Sequence, residues 1–566
     1  MMKKSTRDAA VILGVVLLLS PILVYPGWLP DDTYWMLSTL KYKSWQSIAD
    51  WYMAVGDRFM PLSASLNRIM AGIAITPTLF FLGNYLTALM SVLTLIWIGR
   101  RLYPKVSLVP LLVILTPAFS SHFYVIFTQK ELLLLWSAFL ALVMVPMSEN
   151  LRNPSNRIFL ALIPANIALY YIENSLVLLS MFAFALLAIN NYRSDHTALR
   201  ETGRGTYVTK FNLFLVLLLA SSFIFFIQYL YFTHFRDSHS YLTARTPEWG
   251  IIPRARYSLH ALLMYVKNDP LILLAMPLGS FSAHRTLRRA GPSAAMKNRN
   301  VLLLSDSLAV CALVYVLSFV TLGLYEDRYL LPAYPFALVA LMGYGHLWYE
   351  GRPGFAVPRG RRMIRWGAGL IVGVAVLNSM IYAINVAVYD KFNSYNFTRF
   401  NDALLGVVDS RLASGREPIR ISYPGWNYET ALYLERMNLN MLHFRGYALA
   451  ENDSTFERNW TNPQSFRIAG DSISYLYDAR VQNWTIPVQA GASDLRPGDL
   501  FLLLPMAREE GFEAVRKRCI FKTESPGYFE LPVIQAMAKR LLRKLQTGAK
   551  SAPIGKQVDY AIYEAM

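Results

Sequence analysis

Residues 10–37 read AVILGVVLLLSPILVYPGWLPDDTYWML. An apolar run of about 20 residues, the length that crosses a hydrocarbon core, ends on two adjacent carboxylates, Asp31 and Asp32. Like charges on neighbouring residues repel, and close to a bilayer they are costly to desolvate. The pair is therefore either a solvated cap that ends a helix or a feature held in place for chemistry. Ahead of the run lies the basic stretch MMKKSTR. A cleaved signal peptide is the competing reading, but the run ends in YPGWLPDD with no small-x-small site, which points to an uncleaved first span.

The rest of the chain repeats this pattern. Of its 566 residues 54% are hydrophobic and only 16% charged, against about 25% charged in soluble globular proteins. Apolar runs recur at 10–28, 79–99, 106–126, 132–147, 158–172, 174–191, 211–233, 270–283, 301–323, 330–348 and 366–388. They predict a polytopic α-helical membrane protein with about 11 transmembrane helices. The 14% aromatic content suits membrane interfaces. A net charge of +18 raises the question of nucleic acid, but the basic residues form no single stripe, so no nucleic-acid partner is expected. The two cysteines, Cys311 in an apolar run and Cys519 in the tail, have no metal-site spacing.

The connecting segments fall into two sets. One set, which includes GRRLYPK, HRTLRRAGPSAAMKNRN and YEGRPGFAVPRGRRMIR, carries 22 Lys and Arg; the alternate set, leaving out the C-terminal tail, carries 11. The positive-inside rule then puts the N-terminus in the cytoplasm and the C-terminus outside. Residues 1–388 form the membrane module, with a first outside loop at 29–78, and residues 389–566 an extracytoplasmic α/β domain. In that tail RFNDALLGVVDSRLASG and NYETALYLERMN read as helices, and PIRISYPG, DLFLLLP and DYAIYEA as strands. The basic amphipathic stretch 536–550 suits a surface helix.

With this topology the unusual charges share one side. Asp31 and Asp32 open the first outside loop, Lys130 and Glu131 (TQKELLLL) form the second, Glu173 lies in the third, and Glu326, Asp327 and Arg328 (YEDRYLLPAYP) lie in the fifth. Arg58 shares the first loop, and Arg254 and Arg256 (IIPRARYSLHALL) a later one. The first loop has apolar and aromatic residues at near-helical spacing, Trp35, Leu37, Leu40, Trp45, Ile48, Trp51 and Tyr52. This suits helices lying along the interface. Each charge also has a bland role: a cap for one of the aspartates, a dipole partner for Glu131, a salt-bridged helix start for Glu326–Arg328, and headgroup contact for Arg254 and Arg256.

A first span, an acidic pair and interfacial helices in a long first outside loop resemble the GT-C fold of membrane glycosyltransferases. Within that group the likeness is to protein O-mannosyltransferases, lipid A aminoarabinose transferases and phage-type O-antigen glucosyltransferases. Gln129-Lys130-Glu131 in the second loop and YEDRYLLPAYPFALVAL, similar to the RYLLP start of a late helix in several of these families, add to it. Two departures stand out: the loop pair is Asp-Asp where many relatives have Asp-Glu, and the second-loop motif is not the Asp-x-Glu of oligosaccharyltransferases.

The resemblance implies transfer of a sugar from a polyprenyl-phosphate donor to an envelope glycan or lipid acceptor of O-antigen or lipopolysaccharide type. An inverting transfer needs a carboxylate to deprotonate the acceptor and cations to stabilise the departing phosphate. Asp31 or Asp32 is the expected base, with Glu131 as a further catalytic acid. Lys130, Arg328, Arg254 and Arg256 are expected at the phosphate, with Arg58, Glu326 and Asp327 beside the substrate. So few loop acids are compatible with one divalent cation, Mg or Mn, or with none. The bilayer is a further partner, and a bacterial inner membrane the expected location. Two alternatives stay open. An O-antigen polymerase or ligase would rely on loop arginines, which residues 234–269 supply. A secondary transporter of envelope precursors would bury charges near mid-span.

Overall fold

A computed structural model describes residues 4–29, 59–63, 65–74, 76–126, 128–149, 154–197, 210–234, 251–322, 325–350, 359–414, 421–422, 468–469, 472–475, 484–487, 497–503, 516–523 and 560–566. Its helices are α1 Lys4–Leu19, α2 Ser65–Ile73, α3 Pro77–Leu102, α4 Pro117–Phe123, α5 Glu131–Glu149, α6 Leu162–Tyr171, α7 Ser175–Thr197, α8 Lys210–His234, α9 Ile251–Asn268, α10 Met276–Ala290, α11 Pro292–Thr321, α12 Tyr334–Glu350 and α13 Arg359–Ala413. Tighter 3-10 segments precede α4 (Val109–Leu115), α6 (Asn156–Ala161) and α12 (Asp327–Ala333), and a π turn, Leu271–Ala275, leads into α10.

Two helices begin with the same local device. Thr76 and Thr116 each accept a backbone N–H three residues on, from Leu79 and Phe119, and each is followed by proline. A threonine cap satisfies one orphan donor, and proline at the first helical position sacrifices none. The last turn of α3 carries Arg100 and Arg101, which complement the negative end of its dipole.

Six helices are long and apolar enough to cross a membrane, or up to eight segments if each of two bent pairs is one span. These are the helices of an integral membrane protein. The sequence predicts about eleven spans, and the difference has local causes. The run at 106–126 is Pro104–Leu115 plus Pro117–Phe123, bent by 62° at Thr116-Pro117. The run at 270–283 is the second arm of Arg254–Asn268 plus Leu271–Ala290, bent by 88°. The residue before a proline is pushed out of helical geometry, and Pro270 follows Asp269 at that break. The runs at 10–28 and 174–191 form shorter apolar helices, Asp8–Leu23 and Ser175–Ala188. The run at 158–172 divides between a 3-10 turn and the ten residues of α6.

α12 is the centre of the bundle. In the span Asp327–Glu350, 83% of the apolar window is buried, against 17% for Gly373–Leu404 in α13. Around it Trp136, Phe139, Phe182 and Phe336 make edge-to-face contacts with centroids 5.2–5.9 Å apart, a favoured geometry for aromatic pairs. Close approach, rather than expulsion of water, drives helix pairing inside lipid. Gly99 of α3 permits it: a Cβ there would meet Met342 Sδ at 2.6 Å and Ser107 Cα at 2.9 Å.

The bundle has two distinct ends. At one, surface ion pairs tie helix termini together: Asp8–Arg100 (2.6 Å), Arg101–Glu149 (3.1 Å) and Lys105–Glu350 (2.8 Å). At the other lie the starts of α3 and α5, the end of α6 and the start of the Asp327–Ala333 segment. The chain on either side of residues 30–58 is anchored at this second end. Trp28 packs on Phe80 (5.7 Å between centroids), Phe59 on Tyr170 (6.0 Å), and Leu62 N–H donates to Tyr170 O (3.0 Å).

α13 is 55 residues long, roughly 80 Å at 1.5 Å per residue. It runs unbroken through residue 389, where the composition changes, and takes in 399–413, which the sequence predicts as a separate helix. Beyond it, β1 Ile421–Ser422, β5 Leu500–Leu503, β7 Ala561–Ala565 and β6 Lys517–Lys522 form one sheet in that order. β1 and β5 are parallel, and the other pairs antiparallel. β2 Ile468–Ala469, β3 Ser472–Tyr475 and β4 Trp484–Pro487 form a second, antiparallel sheet. Three of these strands, β1, β5 and β7, fall where the sequence predicts them. The predicted helices at 427–438 and 536–550 lie outside the described residues.

The first sheet rests on α13. Arg411 donates to Gly498 O (2.5 Å) and to Glu564 Oε1 (2.8 Å). The Tyr560 hydroxyl donates to Asn393 (2.6 Å), and its ring lies 5.8 Å and 5.2 Å from Phe397 and Phe400.

Candidate functional site

Lys130 and Glu131 stand at the start of α5, at the first-loop end of the bundle. Lys130 is 1% exposed and its ammonium donates to Ile126 O. The turn it closes is held from the other side by Asn84 of α3, whose amide donates to Phe123 O (3.2 Å) and Val125 O (2.7 Å). Glu131 Oε2 accepts the Tyr171 hydroxyl at 2.5 Å, while its buried Oε1 has no hydrogen-bond partner among the described residues. A buried ammonium beside a buried carboxylate on the adjacent residue is expensive unless each compensates the other, and the Lys130 charge acts directly on Glu131.

The YEDRY segment meets this pair through His122 of α4, which is buried and lies within electrostatic reach of both Arg328 and Lys130. Arg328 is ion-paired to Glu326, with both side chains partly exposed. Asp327 points inward: its Oδ1 accepts the Tyr325 hydroxyl at 2.6 Å, and Tyr382 of α13 also donates to the carboxylate. Burial raises the Tyr325 hydroxyl far above its ordinary range, and the Asp327 charge adds to the rise. Tyr325 therefore remains a protonated donor.

A further acid, Asp269, enters from the break between α9 and α10. It is 1% exposed, lies within electrostatic reach of Asp327 and accepts the Tyr334 hydroxyl. Tyr334 is in turn bonded to Thr116, the cap of α4. Its neighbour Asn268, 2% exposed, donates to the Tyr325 hydroxyl. Lys130, Glu131, His122, Arg328, Asp327 and Asp269 thus form one polar layer at the end of an otherwise apolar bundle.

The segment leading into the first loop is seated beside this layer. Lys391 of α13 donates to Ile22 O at 2.7 Å and lies 3.5 Å from the centre of the Phe81 ring and 5.9 Å from that of Tyr124. Trp28 N–H donates to Thr398 Oγ1 at 3.1 Å. At Gly27 a Cβ would meet Ser394 Oγ at 2.7 Å, Thr398 Oγ1 at 2.8 Å and Ser394 O at 2.9 Å, so the chain lies flat against α13 there.

Of the residues singled out in the sequence, Lys130, Glu131, Glu326, Asp327 and Arg328 come together. Arg254 and Arg256 are exposed on the first turns of α9, and among the described residues no hydrogen bond or ion pair joins them to the layer. Asp31, Asp32 and Arg58 lie outside the described residues. Among the described residues no group of three or more His, Cys, Asp or Glu is gathered closely enough to hold a metal ion. The layer as it stands holds two cations, Lys130 and Arg328, beside the carboxylates of Glu131, Asp327 and Asp269.

Sequence reasoning misses Asp269, Tyr334, Tyr382, His122 and Lys391. For Asp269 a signal exists: KNDP puts an acid at a helix-breaking proline beside an apolar run. The others gain their place from contacts between elements distant in sequence.

No protein family matches the chain, and no curated protein matches it. Among solved structures it is similar to that of ArnT from Cupriavidus metallidurans bound to undecaprenyl phosphate, at 13% identity and a TM-score of 0.40, over 99% of this chain and 98% of that one. A likeness that loose carries no argument about this chain's chemistry, which rests on its own residues.

Proposed function

We propose that the protein is a membrane glycosyltransferase of GT-C type that moves a sugar from a polyprenyl-phosphate donor to an envelope glycan or lipid acceptor. The reading places the reaction at the first-loop end of the bundle, on the extracytoplasmic side, in a bacterial inner membrane. The N-terminus would be cytoplasmic, and residues 389–566 an extracytoplasmic domain.

The observation that carries it is the polar layer at that end. Lys130 and Arg328 supply positive charge for a phosphate leaving group, which only needs to be stabilised as its charge grows. A guanidinium can grip it bidentately, whereas an ammonium acts as a point charge. Glu131 offers a buried carboxylate oxygen to a hydroxyl. Asp31 and Asp32 belong to the segment whose two flanks, Ile22–Leu29 and Phe59–Ser63, are anchored at the same end. One of the pair serves as the base in this mechanism, with Arg58 in the same segment available to the substrate. The lipid tail has apolar helix faces to lie on, and a divalent cation would be an addition to this set rather than its organiser.

The test uses purified protein in nanodiscs, with radiolabelled sugars on polyprenyl phosphate and membrane lipid extracts as acceptors. Asp31→Asn and Asp32→Asn, made separately, are expected to fold normally, and at least one is expected to lose transfer by about 100-fold or more. Normal transfer by both would remove the base from the proposal. No transfer by the wild type from any hexose or pentose donor would remove the proposal itself.

A further inference from the structure

We infer that the break at Asn268-Asp269-Pro270 is a sugar-hydroxyl site, where Asn268 and Asp269 hold the sugar carried by the lipid donor. The inference rests on the glycosyltransferase reading and adds to it the place where the sugar is recognised.

Irregular backbone within an apolar bundle leaves polar groups exposed, and it persists where it lines a site or is covered by protein. Here the chain turns by 88° between Arg254–Asn268 and Leu271–Ala290. The break is fixed on several sides. Asp269 N–H donates to Tyr265 O (2.9 Å), Asn378 of α13 donates to Lys267 O (3.1 Å), and the Tyr265 hydroxyl is 3.4 Å from both the carbonyl oxygen and the N–H of Glu326. A rigid break next to Asp327 and Arg328 is a scaffold for a ligand rather than a slack joint.

The donor and acceptor inventory says which ligand. The Tyr325 hydroxyl donates to Asp327, so it can only accept from Asn268, and this fixes the amide orientation. Asn268 Oδ1 is left facing inward as an acceptor with no partner among the described residues. Asp269 Oδ2 is taken by Tyr334, and the Leu271 N–H faces the same carboxylate as in a helix cap. Asp269 Oδ1 also has no partner meeting hydrogen-bond geometry among the described residues. A cap alone would account for the carboxylate but leaves the second oxygen on the neighbouring side chain unexplained.

Asn268 Oδ1 requires a donor, and the capped carboxylate beside it keeps lone pairs on Oδ1 to accept a second. One carboxylate and one amide are too few for a protein cage around a hard cation, and they suit neutral O–H donors. Neighbouring hydroxyls of a sugar ring supply two such donors a bond or two apart. The cations Lys130 and Arg328 lie in the same layer, on the side where the phosphate of a sugar lipid would be held.

A site built to hydrogen-bond a hydroxyl rejects the analogue that lacks it, and this provides a test that does not depend on the stability of a variant. Binding to the full chain in nanodiscs is measured for undecaprenyl phosphate, for a panel of undecaprenyl-phosphate hexoses and pentoses, and for their monodeoxy analogues. The wild type is expected to bind at least one sugar lipid more tightly than the bare phosphate lipid, and to lose about 10- to 100-fold when one ring hydroxyl is removed. Asp269→Asn is expected to erase that discrimination while leaving the affinity for undecaprenyl phosphate unchanged. If deoxy analogues of every bound sugar bind as well as the parent, or if Asp269→Asn weakens bare and sugar-bearing lipid equally, the inference is overturned. If the wild type binds none of the lipids, the glycosyltransferase reading fails first and takes this inference with it.

Discussion

Replacing Gly27 by alanine tests whether α13 positions the first loop. The added Cβ would lie 2.7 Å from Ser394 Oγ, 2.8 Å from Thr398 Oγ1 and 2.9 Å from Ser394 O, against about 3.5 Å for a relaxed contact. The two hydroxyls could rotate aside, but the Ser394 carbonyl belongs to the helix backbone and has no such freedom. The segment must therefore lift by about 0.6 Å, and this stretches the 3.1 Å bond from Trp28 N–H to Thr398 past useful length. Overpacking costs about 1–3 kcal/mol and the lost hydrogen bond about 1 kcal/mol. The expected result is a stability loss of about 2 kcal/mol or more, with a larger fractional loss of sugar transfer, because Asp31 and Asp32 follow only four and five residues later. Thermal unfolding in nanodiscs and turnover per folded molecule are measured side by side. Thr398→Val, which removes the hydroxyl without adding bulk at residue 27, should cost about 1 kcal/mol and less activity. A Gly27→Ala protein that melts like the wild type would refute the packing argument. One that melts lower yet turns over normally would refute the link from α13 to the acid pair.

Two other substitutions probe separate parts of the molecule. Glu131→Gln keeps an acceptor for Tyr171 but removes the charge that compensates the buried Lys130 ammonium, so stability should fall by about 3 kcal/mol and transfer per folded molecule by about 100-fold; undiminished turnover per folded molecule would take Glu131 out of the mechanism. Arg411→Ala leaves Glu564 with Arg518 as its ion-pair partner and deprives Gly498 O of its donor, which should loosen the sheet from α13 by about 2 kcal/mol. Faster proteolysis within 497–566 with an unchanged bundle would support that docking, and unchanged proteolysis would argue against it.

Much of the architecture is legible in the sequence because apolar length is a direct physical requirement of a membrane. Each predicted apolar run has a helical segment in the structure. What length does not reveal is continuity. The run at 106–126 bends at Thr116-Pro117 and the run at 270–283 is set at an angle to the helix before it by Asp269-Pro270, and a hydropathy count passes over such residues. The reverse occurs in α13: between Gly373 and Gly406 there is no glycine or proline, so helical geometry continues past 389 although the composition changes. The gathering of Lys130, Glu131, Asp327 and Arg328 follows from the alternation of loops. The inclusion of Asp269 and Tyr334 does not, because 65 residues separate that pair and no periodicity links them. Lys391 meets Ile22 across 369 residues, which no local reading would reach.

The bent pair α9–α10 also bears on the rival reading of the protein as a transporter. A broken helix carrying a buried acid is what an alternating-access carrier uses, with its site near the bilayer midplane and between repeated halves. The partners of Asp269 fix its depth, however. Through the amide of Asn268 the break is tied to Tyr325, and Tyr325 to Asp327, the first residue of the 3-10 segment that begins the span Asp327–Glu350. Asp269 itself holds Tyr334, seven residues on from Asp327 and roughly 10–14 Å further in. The acid is therefore tied to the half of the bundle in which the span Asp327–Glu350 begins. The opposite half holds a chemically different cluster, Asp306 with Ser280, His284 and Tyr344 at 2.7–2.8 Å. A carrier presents one site to both sides in turn, whereas here two chemically different polar clusters occupy the two halves. The proposed chemistry at a single membrane face calls on only the first of them.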